Sequence, residues 1–66
     1  MTLKNDPQGA FIGNVARAVA LLEALKSHFD DHMEVNPDEV HWGHVGTAGK
    51  ACEDLEELCR FVGVKV

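Results

Sequence analysis

Serine occurs once in this chain, at Ser27, cysteine only at Cys52 and Cys59, and between positions 30 and 57 the only lysine or arginine is Lys50. Each scarcity excludes something. No serine or cysteine stands beside an evident base and orienting acid, and the adjacent Asp30 and Asp31 point apart on a helix, so neither nucleophilic nor paired-carboxylate catalysis has its residues. An enzyme is not expected. Seven residues of helix hold two Cα atoms about 10 Å apart, too far for an intramolecular disulfide. Cys52 and Cys59 therefore read as small buried hydrophobes.

The shortage of base is as informative. Asp30, Asp31, Glu34, Asp38, Glu39, Glu53, Asp54, Glu56 and Glu57 face Lys50 alone in that stretch, the reverse of the basic footprint that phosphate neutralisation needs. Nucleic acid is not an expected partner, although so acidic a stretch could occupy a basic protein partner. No apolar run approaches the roughly 18 residues of a membrane span, and Met1 to Gly9 lacks the basic-then-apolar layout of a secretion leader. No membrane contact and a cytoplasmic location are expected.

What is present suits a folded chain: 45% of residues are hydrophobic and 26% charged, far from the composition of disorder. A 66-residue chain is one domain at most. Below about 70 to 80 residues a lone core seldom supplies more than about 3 to 5 kcal/mol, so such chains lean on disulfides, metals or partners.

Residues 1–5 read as a frayed lead-in, after which Asp6 is placed to cap a helix with Pro7 at its first position. Phe11, Val15, Ala18, Val19, Leu22, Leu25 and Phe29 then recur at helical spacing, and Ile12, Ala16 and Leu21 widen the stripe. A first helix is expected over about 7–32, with a face broader than one neighbouring helix covers. In the connector at 33–46, Asn36-Pro37-Asp38-Glu39 combines a cap residue, Pro at the first helical position and Glu at the capping-box position, which predicts a short turn at about 37–42. Trp42 is expected to anchor this connector by packing on the helices.

Gly43, Gly46 and Gly49 read as punctuation, and Thr47 as the cap of a second helix over about 47–62. That helix carries Ala48, Ala51, Cys52, Leu55, Leu58, Cys59 and Val62 on one face, and Gly63 with Val64 fits a left-handed stop. At 1.5 Å per residue the two helices would measure about 39 and 24 Å.

Four histidines could carry chemistry. His28 and His32 are four apart, a spacing that chelates metals on a helix, and the connector bearing His41 and His44 returns past the same end. Without a Glu of the metalloprotease pattern or a Cys pair this signal is weak, and solvent-facing rings near a helix end are the plainer reading. No cofactor is expected. Gly46 to Ala51 ends in Gly-Lys at a helix start, yet His44 stands where a phosphate loop needs Gly and Ala51 where it needs Ser or Thr.

The run Asn36-Pro37-Asp38-Glu39-Val40-His41-Trp42-Gly43-His44-Val45-Gly46 and the Leu-bearing helix after it resemble a pattern in small uncharacterised bacterial helical proteins, some from phage-like or mobile regions. The resemblance covers about the C-terminal half. It implies a bacterial, helical, non-enzymatic protein and brings no site residues.

The sequence thus predicts an all-α, single-domain antiparallel hairpin that completes a four-helix bundle as a homodimer, with Val15, Val19 and Leu22 at the two-fold interface. The expected role is a non-catalytic interaction or regulatory module with a further protein partner. The alternative is a divalent-metal-binding protein using His28, His32, His41 and His44.

Overall fold

A computed structural model describes residues 6–66, so the lead-in at 1–5 falls outside the described residues. These residues form two long α-helices and two short 3-10 turns, with no strand among them. The chain divides into two units, Met1–Val35 and Asn36–Val66, each built around one long helix.

In the first unit, α1 spans Pro7–Asp30, 24 residues. Asp6 occupies the N-cap in extended conformation with Pro7 following it, as expected, but its carboxylate makes no capping bond. The first-turn closure is instead Ala10 N–H to the Asp6 carbonyl, 3.0 Å. Gly9 leaves room for the Asp6 side chain, since a Cβ there would meet its Oδ2 at 2.8 Å. Lys26 and Asp30 pair at 2.9 Å on the exposed surface, an i,i+4 contact worth a few tenths of a kcal/mol.

The helix ends two residues earlier than the periodicity predicts, because the backbone changes hand. His32, Met33 and Glu34 have φ of 55°, 57° and 60°, a run of left-handed residues without a glycine. Each such residue costs about 1 to 2 kcal/mol. Two turn bonds hold the segment, Glu34 N–H to Asp31 O at 2.9 Å and Val35 N–H to His32 O at 3.0 Å. It folds against α1, leaving Phe29, Met33 and Val35 half-buried.

In the second unit, Asn36 caps the turn Pro37–Glu39, its Oδ1 accepting from Asp38 N–H at 2.9 Å. The turn is three residues long rather than six, and Glu39 does not complete a box with Asn36. α2 spans Trp42–Val62, 21 residues, and so begins five residues before the expected Thr47. Gly43, Gly46 and Gly49 lie inside it, each costing about 1 kcal/mol relative to Ala. Thr47 is no cap: its hydroxyl donates to the Gly43 carbonyl at 3.1 Å within the helix. With lengths of 24 and 21 residues, α1 is still the longer helix, but by far less than the spans 7–32 and 47–62 predict.

At its end α2 stops as predicted. Gly63 turns left-handed at φ 97°, Val64 N–H reaches Cys59 O at 2.7 Å and Gly63 N–H reaches Arg60 O at 3.3 Å, the paired bonds of a Schellman motif. Half-buried residues His44, Ala48, Ala51, Leu55 and Cys59 form one row along the helix. Cys52, expected to be buried, is exposed beside that row, and Cys59 is half-buried.

Candidate functional site

The most organised polar arrangement lies at the start of α2, where two histidines cap the helix. The first four N–H groups of any α-helix lack partners in the preceding turn. Here Gly43 N–H donates to Nδ1 of His41 at 3.0 Å, and His41 N–H donates to Nδ1 of His44 at 3.2 Å. The two rings lie over one another, centroids 3.9 Å apart and planes 30° from parallel. This is the reciprocal logic of the capping box, with imidazoles in place of the usual Ser/Thr and Glu/Gln.

The geometry fixes the chemistry of both rings. A backbone N–H can only donate, so each Nδ1 presents a lone pair and each neutral ring carries its proton on Nε2. Gly43 is part of the device: a Cβ there would sit 2.7 Å from Cε1 and 3.0 Å from Nδ1 of His41. The sequence signal was the spacing His-x-Gly-His before a helix, which a search for conventional cap residues passes over.

The other expected site residues are placed differently. His28 lies in the last turn of α1, its Nδ1 3.8 Å from Glu34 Oε2 and its ring centroid 6.0 Å from that of Phe29. His32 falls in the left-handed turn, so the continuous helix that would stack it one turn above His28 does not exist. Among the described residues no three His, Cys, Asp or Glu side chains converge as a metal site. His41 and His44 have their Nδ1 atoms engaged by the backbone instead.

Trp42, expected as a packed connector anchor, is the first residue of α2 and 84% exposed. The early helix start is the reason: it turns a connector residue into a helical one and sets it on the side away from the half-buried row. On α1, Val15, Val19 and Leu22 lie on one face and are 45%, 48% and 48% exposed. Phe11 and Leu25 extend that face and are also exposed. None of the described residues of either unit is buried.

None of the family models, curated proteins or solved structures compared with this chain matches it. No helix among the described residues is long and apolar enough to cross a membrane.

Proposed function

We propose that this chain is a non-catalytic interaction or regulatory module that acts in the cytoplasm as a homodimer. In the assembled state its long helices form an antiparallel hairpin, and two hairpins complete a four-helix bundle around paired α1 faces. One observation carries the reading: α1 exposes a continuous apolar face through Phe11, Val15, Val19, Leu22 and Leu25. Fully burying such a side chain contributes about 1.5 to 3 kcal/mol, and these are about half covered, so completing each burial offers about 1 kcal/mol per chain. A two-fold axis counts every one of them twice.

The acidic outer side of α2, with Glu53, Glu56 and Glu57, remains for solvent or for a basic protein partner. The resemblance of residues 36–46 to small bacterial helical proteins agrees with a bacterial origin.

Sedimentation velocity at low micromolar concentration tests the dimer. The expected result is a concentration-dependent dimer that Val19→Asp dissociates or unfolds, because one charge placed there is doubled across the axis. Glu56→Lys, on the outer side of α2, is expected to sediment as the parent chain does. A sharply melting parent monomer insensitive to dilution would overturn the proposal.

A further inference from the structure

We draw no further inference here: the strongest candidate, the half-buried row along α2 formed by His44, Ala48, Ala51, Leu55 and Cys59 with the exposed Cys52 beside it, is an unpartnered helix face, and nothing in the structure shows what covers it.

Discussion

Replacing Gly43, Gly46 and Gly49 of α2 one at a time by alanine makes the same chemical change three times in one helix, and the surroundings decide the outcome. At Gly46 and Gly49 a Cβ would meet nothing within 4 Å, so the substitution only removes the conformational freedom of glycine. Each is expected to stabilise the protein by about 1 kcal/mol. At Gly43 the new Cβ would lie 2.7 Å from Cε1 of His41. The ring is a movable side chain and can swing clear, so steric repulsion is not the cost. Moving it breaks the Gly43 N–H to Nδ1 bond and the stacking on His44, a cap worth about 1 kcal/mol. Gain and loss cancel, and Gly43→Ala is expected to leave stability near that of the parent. Thermal unfolding followed by ellipticity at pH 7.5 resolves the difference, since about 1 kcal/mol shifts Tm by about 4 to 8 °C in a chain this small. Equal stabilisation at all three positions would refute the histidine cap as a source of stability.

Trp42→Ala is expected to change stability by no more than about 0.5 kcal/mol, the usual range for an exposed site, with parent fluorescence at the wavelength of solvated indole and freely quenched by acrylamide. A blue-shifted, protected indole would show the ring packed after all. Gly63→Ala forces a Cβ into φ 97° and is expected to cost about 1 to 2 kcal/mol in urea unfolding, whereas His32→Gly at φ 55° relieves left-handed strain and is expected to stabilise by several tenths of a kcal/mol. The reverse order would contradict the backbone geometry at both ends. Fluorescence anisotropy with labelled DNA and RNA at low salt is expected to show no binding, given nine acids against one base across residues 30–57; tight, salt-sensitive binding would refute the charge argument.

How far the sequence could be read depended on how local each signal is. The stop of α2 was legible because a Schellman motif is written in two adjacent residues, Gly63 and Val64, and nothing distant has to agree. Asn36 with Pro37 was legible for the same reason. The long apolar stripe of α1 gave the helix but not its end, because periodicity continues through Phe29 toward Met33 while the backbone reverses hand at His32 with no glycine to announce it. His28 and His32 then lose the register on which a metal reading depends.

The start of α2 is hidden in the sequence for a different reason. Two cap signals compete there. Thr47 carries the conventional one, with glycines before it that look like a loop; His41 carries the other, and it prevails only because Gly43 leaves space for its ring and His44 returns the bond. A residue-by-residue preference scale cannot weigh a bond that needs three residues at once. The difference between the two starts is the segment 42–46, and a mutation at Thr47 separates them. Thr47→Val keeps the shape of the side chain and removes the hydroxyl that donates to the Gly43 carbonyl. If the two histidines set the start of α2, Thr47→Val is expected to keep helical Cα chemical shifts at residues 42–46, whereas His41→Ala removes a cap bond worth about 1 kcal/mol and frays them; loss of those shifts in Thr47→Val with none in His41→Ala would mean that Thr47, not His41, holds the start.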